Sequence, residues 1–353
     1  MLKVTSTILF ALAIATWAGC SAGSSHTAYV TLTGTDQVAG YYVNNDSGNL
    51  SGMPGSPFAA GIGPSSIYVH PSKKFVYVAN SGEATISLFT ISKKNGGLVE
   101  VLPRTPTGAQ PQSLAIDSGG QFLFVGNVGS NSILVYSIDA GSGALSQSFG
   151  PLVVSTPGAL KISPSGRVLY IANGNSSAIS AYSIGSGGSL SPVLGSPFGA
   201  GQGPSSIAID PAGKFLYVSN LLAGTFSGFT IEANSGALRP MSGSPFTPGT
   251  QPVSLAVDTS GKYLYIADLA GSEVFAYSLD PNTGIPTQVT GSPFKAGSAP
   301  VFVAVDSTGK FVFAGNETSK TISGFVIDPS TGALTKPAQF SAGSAPTSMF
   351  TVP

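Results

Sequence analysis

Apolar and polar positions alternate with a period of two through short runs along almost the whole chain, the signature of half-buried β-strands. The stretch Pro204–Asn220 shows the unit. Ile207 and Ile209 alternate with Ser206 and Ala208, which predicts a first strand. Asp210-Pro211-Ala212-Gly213 reads as a tight turn, with Asp as cap, Pro presetting φ and Gly at the positive-φ position. Lys214–Ser219 reads as a second strand, rich in aromatic and β-branched residues, and Thr225–Ile231 as a third. Ala237–Met241 completes the unit as a short fourth strand, followed by Gly243-Ser244-Pro245-Phe246. Proline beside that strand suits an outer edge, where no ladder donor is needed.

The unit recurs. Pro64, Pro111, Pro157, Pro204, Pro252, Pro300 and Pro346 each open a copy, at intervals of 47, 46, 47, 48, 48 and 46 residues. Four antiparallel strands at such a fixed period predict the blade of a β-propeller. The copy at Pro346 holds a single strand, Thr347–Val352. The strands that it lacks are supplied by Ala28–Leu32, Val38–Val43 and the segment from Leu50 to Gly55-Ser56-Pro57-Phe58. The expected fold is therefore all-β: a seven-bladed propeller over residues 28–353, closed by one blade shared between the two ends of the chain. Composition agrees, since 46 Gly and 26 Pro disfavour helices.

Before the propeller, Lys3, the apolar run Ile8–Ala15 and the small residues up to Cys20 read as an export signal over residues 1–19. Trp17-Ala18-Gly19-Cys20 resembles a bacterial lipobox, which implies a lipid on Cys20, the single cysteine, and a tether over residues 20–27. Ser21 resembles an outer-membrane sorting residue, placing the protein at the periplasmic face of the outer membrane or at the cell surface. An ordinary leader with an incidental cysteine is the competing reading. Lys+Arg and Asp+Glu balance at 15 each, so no basic field exists to attract nucleic acid. Without a phosphate-binding loop motif or a Cys/His cluster, neither a cofactor nor a metal is expected, and the chain reads as a monomer.

The P-x-S opening, the D-x-x-G-K turn and the strand ending Tyr217-Val218-Ser219-Asn220 resemble the YVTN-type repeats of seven-bladed lactonase-like propellers. That group includes the propeller-type bacterial 6-phosphogluconolactonase. The resemblance implies a site on the face that carries the loops into the first strands, with His and Arg beside the inner-strand prolines. This chain has Ser65-Ser66, Gln112-Ser113, Gly158-Ala159, Ser205-Ser206, Val253-Ser254, Val301-Phe302 and Thr347-Ser348 there. The catalytic pairs do not carry over. The leading expectation is thus a binding or scaffold module for a small molecule, a glycan or an envelope protein, with lactone hydrolysis as the alternative.

Residues that repeat at one position read as structural: Asp117, Asp210, Asp258 and Asp306 as turn caps, and Asp139, Asp280 and Asp328 as starts of the last hairpin. Chemistry is sought where the repeat breaks. Lys161 replaces the alanine of Ala115, Ala208, Ala256 and Ala304, and Asp268 replaces an asparagine. With Glu317 these are the catalytic candidates. Gln110, Gln112, Gln202 and Gln251 are expected to ring the channel mouth, with Glu83, Glu273, Lys295 and Lys320 in loops on the same face.

Overall fold

The structure, a computed structural model, describes residues 24–352. The segment in which a leader and the lipidated Cys20 are expected lies outside the described residues. Seven antiparallel sheets follow one another around a central axis, each containing a four-strand meander. In the unit that opens at Pro204 the strands are Pro204–Ile209, Phe215–Asn220, Thr225–Ile231 and Leu238–Pro240. The second strand begins one residue later than the pattern predicts. The Lys214 N–H is held by Asp210 Oδ1 at 2.6 Å and so belongs to the turn.

Six residues of the second strand are buried in every blade from Phe75–Asn80 onward, apart from the part-buried Phe122. Both faces of a blade pack on neighbouring blades, so the aromatic and β-branched run reflects burial on two sides. The apolar clusters accordingly sit between blades; one joins Tyr77 and Ile86 to Leu114 and Val125 of the next sheet.

A hydroxyl latch repeats around the ring. Tyr29, Tyr77, Tyr170, Tyr217 and Tyr265 each donate to a glycine carbonyl in the last hairpin of the following blade: Gly96, Gly143, Gly236, Gly284 and Gly332, at 2.6–3.1 Å. Burial pushes these phenols up, Tyr29 to about 12 and the other four further. They therefore stay O–H donors at neutral pH. Phe124 and Phe313 hold the same strand position without a hydroxyl.

Outer strands come in two kinds. Leu98–Pro106, Leu145–Val153 and Leu334–Ser341 run unbroken. In the other four blades the Gly-Ser-Pro-Phe turn interrupts the edge. Its serine stands in for the lost ladder partner: Ser56, Ser196, Ser244 and Ser292 accept from the N–H groups of Gly40, Ala181, Gly228 and Ala276 at 2.9–3.0 Å.

The ring closes as the repeat count requires. Thr27 to Thr31 pair with Val352 to Ser348, and Leu32 pairs with Pro346 across a register shift. The N-terminal strand starts at Ser25, not Ala28, so the last three residues expected in the tether are folded. The cause is a continuing ladder to Asn44, Val43 and Tyr42, reinforced by His26 Nδ1 against Asn45 Oδ1 at 2.7 Å.

Replacing Tyr217 by Phe removes one latch and leaves the Gly284 carbonyl without its donor, at an expected cost of about 1–2 kcal/mol. Urea unfolding of Tyr217→Phe against wild type measures it; an unchanged midpoint would show that the latch adds nothing to blade-to-blade packing.

Candidate functional site

The inner strands line an axial channel. On the face that receives the linkers, its mouth widens into a cup of about 530 Å³. The residue after each inner-strand proline lines this cup, one per blade: Ser65, Gln112, Gly158, Ser205, Val253, Val301 and Thr347. These are the positions to which the sequence resemblance points. Among the described residues the cup lining includes no ionisable side chain.

Three of its hydroxyls are committed to the ring. Ser65 donates to Pro111 O at 2.7 Å, Ser205 to Val253 O at 2.9 Å and Thr347 to Pro64 O at 2.9 Å, each across to the next blade. One residue deeper, Ser206 Oγ and Ser254 Oγ accept the N–H groups of Leu255 and Val303. Accepting leaves their O–H free to donate. With the Gln112 amide they form a neutral donor set at the mouth.

Below the cup, and sharing Ser66, Gly158, Ser206 and Ser348 with it, lies a second cavity of about 580 Å³. Lys161 stands in its wall. The layer of equivalent inner-strand positions reads Tyr68, Ala115, Lys161, Ala208, Ala256, Ala304 and Phe350. Tyr68 and Phe350 pack at 4.9 Å between ring centroids. Lys161 reaches channel water, but protein surrounds it closely enough that desolvation lowers its pKa below the ordinary lysine range. The sequence signal for this layer is a column of alanines broken at three places. Lys161 was read from it, and Tyr68 and Phe350, which break the same column, were missed.

Other candidates fall elsewhere. Of the four glutamines only Gln112 enters the cup. Gln110, Gln202 and Gln251 precede the proline, where their carbonyls accept the N–H groups of Val128, Ala223 and Leu269. That tie fixes the linker on the loop between the second and third strands, and these side chains are exposed outside the cup lining. Glu83 turns to the outer strand, where Arg104 meets it at 3.2 Å and also holds Glu100 at 2.8 Å. Partial burial works against ionisation of Glu83, yet bonds from Thr85 and Arg104 prevail and hold its carboxyl below the usual range. Glu273 pairs with Lys295 at 2.5 Å, again between third strand and outer edge. Glu317 and Lys320 are exposed in their loop and line neither cavity.

Asp268 is structural, and by a different route from its asparagine counterparts. Asn80, Asn220 and Asn316 each donate from Nδ2 to two hydroxyls on the third strand, such as Thr225 and Ser227. In Asp268's blade those two places hold Glu273 and Phe275, which offer no hydroxyl. The buried carboxylate instead accepts from Thr250 N at 3.0 Å and Gln251 N at 2.8 Å. The turn aspartates cap as predicted: Asp210 Oδ1 takes the N–H groups of Lys214 and Phe215. His70 serves at the equivalent turn through Ser72 and Gly120. Among the described residues, no group of three His, Cys, Asp or Glu is placed to hold a metal ion.

The architecture is thus that of a seven-bladed propeller with a polar axial cup. The family model described as Lactonase, 7-bladed beta-propeller matches residues 24–161, 152–255, 190–297 and 244–350, and the chain belongs to this family. Among solved structures, a candidate 6-phosphogluconolactonase from Bacteroides fragilis superposes with a TM-score of 0.83 at 22% identity, over 94% of this chain and 99% of that one. A second candidate 6-phosphogluconolactonase, from Bacteroides uniformis, gives 0.83 at 20% identity over 93% and 99%. The periplasmic gluconolactonase of Pseudomonas aeruginosa gives 0.80 at 20% identity over 94% and 99%. At these identities the likeness is one of fold. No curated protein matches the sequence.

Asp268→Ala strands two linker N–H groups and is expected to lower stability by about 1–3 kcal/mol. Ligand binding or turnover per folded molecule should be unchanged. Thermal unfolding read beside an activity or binding assay distinguishes this from a catalytic role, which would abolish function at full stability.

Proposed function

We propose that this chain is an exported lactone hydrolase of the 6-phosphogluconolactonase type, acting on a sugar lactone that enters through the cup. The observation that supports this reading is the family match, which runs through every blade, joined to a cup lined by the residue after each inner-strand proline. Opening a lactone places negative charge on the carbonyl oxygen, and donors aimed at that oxygen lower the barrier. Gln112, Ser206 and Ser254 offer neutral donors at the mouth, and Lys161 is the charged donor deeper in the same channel. Among the described residues no side-chain base lines the cup, so the attacking group is hydroxide from solvent, and the rate enhancement is correspondingly modest. An uncharged mouth suits an unphosphorylated lactone better than a sugar phosphate.

The same neutral lining favours a second reading, in which the cup binds a glycan or an envelope partner without turning it over. Hydrolysis of glucono-δ-lactone and of its 6-phosphate by the purified propeller decides between the two. Saturable turnover of the unphosphorylated lactone is expected, reduced about a hundredfold in Lys161→Ala. Because hydroxide rises with pH while the useful ammonium form is lost, and desolvation lowers the lysine pKa, kcat/KM should climb with pH and level off below the ordinary lysine range. In Lys161→Ala the climb should continue without that break. Turnover no faster than in buffer would leave the binding reading in place.

The leader and Cys20 support lipid anchoring at the periplasmic face of the outer membrane or at the cell surface. The full chain expressed in bacteria should partition into a detergent phase, and Cys20→Ser should release it to the aqueous phase. A Cys20→Ser protein that stays with the membrane would refute the anchor.

A further inference from the structure

The geometry points to a binding site for a small oxyanion inside the channel, at Lys161, distinct from the neutral cup above it. Lys161 has no ion-pair partner among the described residues, and the six equivalent positions of its layer are alanine, tyrosine or phenylalanine. Four alanines in that layer, Ala115, Ala208, Ala256 and Ala304, leave space around the ammonium.

Two cavities meet at this residue, one toward the cup and one of about 360 Å³ toward the opposite face. An ammonium closely walled by protein and without a counter-charge costs stability, and one oxyanion beside Lys161 relieves that cost. Tyr68 lines the cup-side cavity, and its phenol is pushed up by burial and by the charge of Asp117, so it stays an O–H donor. The carboxylate that lines the far cavity, Asp306, accepts the N–H groups of Thr308, Lys310 and Phe311, has His26 Nε2 at 3.5 Å and makes no ion pair with Lys161 among the described residues.

The ligand class is a carboxylate or a phosphate small enough to pass the cup. For its identity, though not for the site itself, the inference rests on the lactonase reading: opening a sugar lactone creates a carboxylate next to hydroxyls, and the product would stay on the ammonium that assisted its formation.

Calorimetric titration of the propeller with sodium gluconate, with inorganic phosphate and with sorbitol tests this. Gluconate should bind saturably and sorbitol should not. Lys161→Gln should weaken binding about tenfold or more and Tyr68→Phe by a smaller factor, with Lys161→Gln melting no lower than wild type. Raising the salt concentration should weaken the wild-type affinity. Uptake of phosphate without gluconate supports the site and assigns it to free phosphate. No saturable uptake of either anion, or equal uptake by wild type and Lys161→Gln, overturns it. Lactone turnover without anion uptake sinks this inference alone, and anion uptake without turnover sinks the hydrolase reading alone.

Discussion

Everything in this molecule depends on pairing Thr27–Leu32 with the C-terminal strand that ends at Val352. Each blade is apolar on both faces and has two edges, so no blade is stable alone. Neighbours cover the faces, but only closure protects the first and last of them. Closure here joins strands more than three hundred residues apart in sequence, and the Thr31 and Thr347 hydroxyls meet across it at 2.8 Å. The tyrosine latches and the inner-strand serine and threonine hydroxyls then tie blade to blade at two different radii.

That construction limits where chemistry can occur. A ring of near-identical units presents each position seven times, and a residue shared by all seven serves the ring. Even at the variable rim position the ring claims hydroxyls: Ser65, Ser205 and Thr347 face the mouth, yet donate to the next blade. Function is left to the departures. Gln112 is a departure at the rim, and Lys161, Tyr68 and Phe350 are departures one layer down. A neutral mouth above the Lys161 ammonium gives the channel an electrostatic gradient along its axis.

The repeat made most of the fold legible before any coordinates. Period, strand number, blade number and the shared blade all follow from alternation and the spacing of seven prolines, because blade geometry is local and is imposed again at each copy. Even the substitution of Asp268 is legible in retrospect, since Glu273 and Phe275 replace the hydroxyl residues that an asparagine amide would need. The functional surface was less legible. Four glutamines near the inner-strand prolines looked equivalent, but a two- or three-residue difference in position decides whether a side chain enters the cup or points to solvent. Glu83, Glu273 and Lys295 share the site-bearing face with the cup, but their partners sit at the outer edge and hold them away from it.

The sequence by itself determined the local rules: which runs form strands, which aspartates cap turns and which positions break the pattern at Lys161. Only the tertiary structure decided what surrounds each departure. Lys161 matters because Ala208, Ala256, Ala304, Tyr68 and Phe350, drawn from five other blades, stand at the same height around one axis. Charge, desolvation and room for a ligand are properties of that layer. They arise from residues separated by whole repeats, which no local reading of the chain can bring together.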